Sequence, residues 1–205
     1  MAKYKLIYFD FDGGRGEPVR IAFHAAGIDF EDERWSFTEF QEKRGSTPFN
    51  ALPVMEIDGV VVTQSSAMCR YVGRMAGLYP DDPMQALFCD EAMDASEDLT
   101  HCIVRTFGLE GDELKKAREE LVDGWLTTYL KGLGGLLERG GGDYFADSRL
   151  TVADLKIFFV TRWLSSGGLD HVPADIVDKV APILVAHRTR IESDPVVTAY
   201  YESRK

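Results

Sequence analysis

Ala51-Leu52-Pro53-Val54-Met55-Glu56-Ile57-Asp58-Gly59, followed by Val60-Val61-Val62-Thr63 and then Gln64-Ser65-Ser66, is the stretch on which the fold turns. Val54 to Ile57 alternates as a strand does, Asp58-Gly59 is a strong hairpin turn, and Val60 to Thr63 reads as the returning strand. Pro53 stands just ahead of that pair, where a residue without an N–H fits poorly inside a sheet. A cis Leu52–Pro53 bond reconciles these signals. It turns the backbone of Leu52 out of the sheet and leaves its N–H and C=O to a ligand. Ser65 then opens an amphipathic run, and a hydroxyl beside free N–H groups at a helix N-terminus makes a carboxylate site. Backbone pairing beside a carboxylate site fits a small acidic peptide.

Outward from that stretch, residues 3–10 alternate as a first strand. Arg15 to Ala26 reads as a helix, with Pro18 in its first turn and Gly27 as its stop. Phe30 to Trp35 predicts a second strand, Phe37 to Arg44 a short helical piece, and residues 65–75 a helix after the hairpin. This β-α-β-α-β-β-α order is that of a thioredoxin-like domain. Gly77-Leu78-Tyr79-Pro80-Asp81-Asp82-Pro83 reads as the linker. Beyond it, Met84 to Phe107, Glu113 to Leu137, Val152 to Leu164, Ile176 to Ile191 and Pro195 to Tyr201 all carry helical patterns. The expected fold class is therefore an α/β thioredoxin-like N-terminal domain over 1–79 plus an all-α helical C-terminal domain over 84–205. Thr151 with Asp154 three positions on reads as a capping box, flanked by Leu150 and Leu155 as a hydrophobic staple; its role is stability.

With 205 residues the chain is long enough for a substantial core. A net charge of −11 argues against nucleic acid or an anionic membrane as partner. No apolar run reaches membrane-spanning length, and Met1-Ala2-Lys3-Tyr4 does not start a signal peptide, which predicts a cytoplasmic protein. Cys69, Cys89 and Cys102 form no CxxC and read as buried small residues in a reducing compartment. His24, His101, His171 and His187 are scattered without ligand spacing, so no metal is expected.

The cis-proline loop, the Gln64-Ser65 helix start and the opening Tyr4-Lys5-Leu6-Ile7-Tyr8-Phe9 together resemble the cytosolic glutathione transferases, most closely the sigma class, which includes glutathione-dependent prostaglandin D synthases and S-crystallins. By residue type and position alone, Tyr8 reads as a packed strand tyrosine. The resemblance makes it the catalytic group, a phenol that hydrogen-bonds the sulfur of glutathione. A free thiol with a pKa of ~8.5 holds little thiolate at neutral pH, so such a donor has work to do. Arg15 matches the arginine that supports this tyrosine, although the loop carries one extra residue around Gly13-Gly14.

The resemblance implies the remaining binding residues. Gln64 and Ser65 hold the γ-glutamyl carboxylate, and Leu52, before Pro53, pairs with the cysteinyl backbone. Phe40 stands where the family often has a Trp that binds the glycine carboxylate, and Arg44 stands where it has a Lys, with Lys43 as neighbour. Asp98 matches an aspartate that reaches across a homodimer to the α-amino group of glutathione, with Asp94 and Glu97 as rival acids. Phe9, with Phe11, Asp12, Arg105, Phe107 and Trp163, is a candidate for lining the pocket of a small hydrophobic electrophile formed by the helical domain. The implied function is a glutathione S-transferase with reduced glutathione as co-substrate. A glutathione-dependent isomerase or peroxidase, or a non-catalytic crystallin-like or ligand-carrier relative, are the competing readings.

Overall fold

The computed structural model describes residues 2–205. The chain divides into two compact units: one runs to Tyr79 and takes in Pro195–Lys205, the other is Pro80–Asp194.

The first unit is built on β1 (Tyr4–Phe9), α1 (Glu17–Ala25), β2 (Glu31–Trp35), α2 (Phe37–Lys43), β3 (Val54–Ile57), β4 (Val60–Thr63) and α3 (Ser65–Met75). The sheet order is β2-β1-β3-β4. β1 runs parallel to β2 and antiparallel to β3, which pairs antiparallel with β4. The parallel step needs a crossover, and α1 supplies it. The hairpin turns on Asp58 (φ 49°) and Gly59 (φ 84°), the left-handed pair that a tight antiparallel turn requires. Asp58 also anchors the turn by accepting from the Lys3 amide at 2.9 Å. α2 begins in a reciprocal cap: Ser36 Oγ accepts from the Glu39 amide at 3.1 Å while Glu39 accepts from the Ser36 amide at 2.8 Å. A 3-10 turn, Arg44–Ser46, closes it.

The second unit contains α4 (Pro83–Val104), α5 (Gly111–Leu121), α6 (Thr127–Arg139), α7 (Val152–Leu164), α8 (Ile176–Val180) and α9 (Ile183–Glu192). Every residue of α7 from Val152 to Thr161 is buried, so this helix forms the axis of the unit. Its start carries the expected box. Asp154 accepts from the Thr151 amide at 2.8 Å and from the Thr151 hydroxyl at 2.7 Å. The same carboxylate also receives the Phe145 amide and faces His187 Nε2, each at 3.0 Å. It thus pins a loop and α9 as well as capping a helix.

The structure departs from the sequence reading in two places. The pattern from Ile176 to Ile191 is two helices, because the residue before Pro182 leaves the helical region; Ala181 has φ −145° and ψ 69°. The run from Glu113 to Leu137 is interrupted by a wide π turn, Val122–Leu126, in which Gly124 adopts φ −109° and ψ −105°. The last helix, α10 (Pro195–Glu202), groups with the first unit.

Candidate active site

The register of the sheet collects the predicted residues at one end. Ile7 of β1 pairs with Val54 of β3, and Val54 pairs with Thr63 of β4. Tyr8 follows Ile7, Pro53 precedes Val54, and Gln64-Ser65 follow Thr63, so these three segments lie side by side. Tyr8, Leu52, Ile7, Trp35 and Val54 share one apolar cluster, against which Phe9 and Phe40 pack.

Tyr8 is only 3% exposed. Its hydroxyl accepts from the Arg15 amide at 2.9 Å. Burial pushes the phenol above its ordinary pKa, and the charge and hydrogen bonding of Arg15 pull the other way without cancelling it. The group therefore stays protonated at neutral pH. A phenol that accepts with a lone pair keeps its proton for donation. The Arg20 guanidinium lies 5.6 Å from the centre of the same ring.

The loop around the phenol depends on two glycines. A Cβ on Gly16 would sit 2.4 Å from the Tyr8 ring, and one on Gly14, at φ +63°, 2.4 Å from its hydroxyl oxygen. Gly14 and Gly16 are thus part of a close main-chain cradle around the phenol. Sequence reading placed Gly13-Gly14 in a gap and missed that Gly14 and Gly16 touch Tyr8. Glycines on both sides of Arg15 were the available signal.

The Leu52–Pro53 bond is cis. The ladder between β1 and β3 ends at Val54, so the main-chain groups of Leu52 lie outside it. Gln64 occupies the cap position of α3 with φ 73° and ψ 107°. A non-glycine residue held there carries strain on the order of 1–3 kcal/mol, which marks a position fixed for a purpose other than stability. Its side chain is exposed, and Ser65 is the first, buried residue of the helix. The first helical bond recorded runs from the Met68 amide to the Gln64 carbonyl at 3.1 Å, so the amides of residues 65–67 precede it at the positive end of the helix dipole. Next to it, the buried Ser66 hydroxyl has no hydrogen-bond partner among the described residues.

At the other edge, Phe40 packs against Phe9 at 5.1 Å between ring centres. Lys43 is engaged with Glu39 at 3.1 Å and lies over the Trp35 ring, whereas Arg44 is exposed at the end of α2. Asp98 is not on this unit. It lies exposed on α4 of the helical unit, where it accepts from the Tyr129 hydroxyl at 3.3 Å. In the same unit, exposed Phe107 meets the Trp163 ring edge-on at 6.2 Å. Among the described residues no group of three or more His, Cys, Asp or Glu is placed to hold a metal ion. Among the described residues no helix is long and apolar enough to cross a membrane.

Residues 4–74 match the glutathione S-transferase N-terminal domain, and residues 97–204 match the glutathione S-transferase C-terminal domain. Glutathione S-transferase 1 of Ascaris suum is 36% identical over 161 residues, covering 77% of this chain and 78% of that one. Among solved structures, prostaglandin synthase D of Nilaparvata lugens superposes with a TM-score of 0.84 at 28% identity, covering 99% of this chain and 98% of that one. Monomeric Na-GST-3, a glutathione S-transferase from the hookworm Necator americanus, superposes with a TM-score of 0.77 at 28% identity, with the same coverage of 99% and 98%. These matches establish that the chain belongs to the glutathione S-transferase family, with glutathione as its co-substrate.

Proposed function

We propose that Tyr8 is the thiol-activating group of this glutathione S-transferase and that Arg15 supports it. The observation that carries the reading is a buried phenol, fixed by the Arg15 amide at 2.9 Å, at the sheet end where the cis-proline loop and the start of α3 meet. The Tyr8 hydroxyl donates to the sulfur and favours its ionised form. The thiol proton passes to solvent. The thiolate then attacks the electrophilic carbon of a small hydrophobic substrate, and formation of the C–S bond is completed by loss of a leaving group or by protonation of the adduct.

The peptide is held by complementary chemistry along the same sheet end. Gln64, Ser65 and the amides that open α3 take the γ-glutamyl carboxylate. Leu52, presented by Pro53, pairs main chain to main chain with the cysteinyl residue. Arg44, rather than the engaged Lys43, meets the glycine carboxylate, and Phe40 gives an apolar contact there. Phe9 flanks the sulfur, and the electrophile's pocket belongs to the helical unit, with Phe107 and Trp163 as its aromatic groups.

The working unit is a cytoplasmic homodimer in which Asp98 of one copy pairs with the α-ammonium of glutathione bound to the other. Resemblance of Asp98 to the family's cross-subunit aspartate supports this reading; Na-GST-3 is a family member that is monomeric.

Conjugation of glutathione to an activated aryl halide tests the assignment. Tyr8→Phe should lower kcat by on the order of 10–100-fold with little change in glutathione KM. Ser65→Ala should do the reverse, raising the glutathione KM about 10-fold, as for the loss of a hydrogen bond to a charged group. A Tyr8→Phe variant with wild-type kcat would overturn the reading.

A further inference from the structure

The last turn of the chain is tied to the loop that cradles Tyr8. Arg204 Nη1 lies 2.7 Å from Asp12 Oδ1 and 3.4 Å from Glu17 Oε1. Asp12 and Glu17 are the two shoulders of that loop, with Gly14, Arg15 and Gly16 between them. One guanidinium from the C-terminus therefore bridges both ends of the segment whose main chain sets the phenol. Tyr201 adds a second tie, its hydroxyl donating to the same Glu17 oxygen at 3.3 Å.

The tie continues inward. Glu17 is fully buried and receives Arg20 Nη1 on its other oxygen at 2.9 Å. Arg20 in turn donates to the carbonyls of Phe9 at 3.3 Å and Phe11 at 3.2 Å, on the chain just past Tyr8. Asp12 has a rival cation in Arg34, at 3.4 Å. Burial disfavours the charged form of Asp12, yet Arg204 and Arg34 outweigh it and hold the carboxyl below its ordinary pKa. Both ends of the loop are thus tied to a cation, and Arg204 is the residue common to both.

We propose that Arg204 is a positioning residue for thiol activation, acting through Asp12 and Glu17 on the Gly14-Arg15-Gly16 cradle of Tyr8. The inference rests on Tyr8 as the thiol-activating group. A plain surface ion pair would contribute to stability alone. A brace across the catalytic loop also affects where the phenol and the Arg15 amide sit, and small displacements of a catalytic group lower turnover disproportionately.

The test compares Arg204→Met, Arg204→Lys, Asp12→Asn and Tyr8→Phe in the full-length protein. Steady-state conjugation is read as kcat and glutathione KM. The thiolate absorbance of bound glutathione is read against pH, and the urea midpoint is read alongside. Arg204→Met should lower kcat on the order of tenfold, leave glutathione KM within about twofold, and move the thiol titration to higher pH. Arg204→Lys should restore most of the rate. Asp12→Asn should reproduce part of the loss, and a double variant carrying both Arg204→Met and Asp12→Asn should lose less than the product of the single losses, as linked residues do. Wild-type kcat and titration in Arg204→Met, or a loss that tracks the unfolded fraction and is equal in Arg204→Lys, would overturn the inference while leaving Tyr8 in place. An unchanged titration in Tyr8→Phe would overturn both.

Discussion

The Arg15 amide meets the Tyr8 hydroxyl at 2.9 Å from a loop that has no space for a methyl group at either neighbouring glycine. The phenol is therefore located by main chain, which does not relax by changing rotamer. Substitutions in the loop are expected to act on turnover even where they remove no functional group.

Gly16→Ala should show this most clearly. Its new Cβ would fall 2.4 Å from the Tyr8 ring, so the ring or the loop has to move. Overpacking of this kind costs roughly 1–3 kcal/mol of stability, and kcat should fall with it. Gly45→Ala is the control, since nothing lies within 4 Å of its added carbon. Urea denaturation and conjugation rates of the two variants, side by side, check the expectation.

The cap of α2 makes a prediction about pH. Bonding to the Ser36 amide, with help from Lys43, lowers the Glu39 pKa from 4.5 to about 2. A carboxyl with a depressed folded-state pKa contributes stability that is complete above about pH 4.5 and is lost as pH falls toward 2. Glu39→Gln should therefore be less stable than the wild type near neutrality and approach it through that window. Carbon NMR of the Glu39 carboxyl gives the same information directly: a midpoint near 4.5 would contradict the bonded cap.

Thr151 and Asp154 should differ in consequence although both belong to one cap. Thr151→Ala loses a helix cap, worth ~1–2 kcal/mol. Asp154→Ala also abandons the Phe145 amide and His187, all buried, and should cost about 3–5 kcal/mol, as when one partner of a buried polar pair is removed. Neither residue belongs to the glutathione site, so the kinetic constants of the folded fraction should hold. Chemical denaturation with active-site titration separates the two effects.

Much of this was legible in local sequence. The cis-proline loop, the Asp58-Gly59 hairpin and α3 are short-range features, written in proline, glycine and alternation, and α3 and α7 fall on the residues the pattern predicts. The break at Pro182 was equally available but was masked by a continuous apolar pattern from Ile176 to Ile191. What the sequence could not carry is long-range: Tyr201 and Glu17 are 184 positions apart, and no periodicity relates them. The buried Glu17–Arg20 pair reads in sequence as an ordinary charged helix turn. Its importance comes from full burial, where removing either partner strands the other and costs about 3–5 kcal/mol. The closeness of Gly14 and Gly16 to Tyr8 likewise exists only once the loop is folded.

The most direct test of the central claim is the ultraviolet titration of glutathione bound to the wild type and to Tyr8→Phe. A hydrogen bond from the Tyr8 phenol to the sulfur predicts that bound thiolate persists in the wild type well below the ~8.5 of a free thiol. In Tyr8→Phe, with glutathione still bound, the midpoint should move up by about one unit or more, equivalent to at least ~1.4 kcal/mol of lost thiolate stabilisation. Superimposable titrations of the two proteins would contradict the claim and assign thiol activation to another donor.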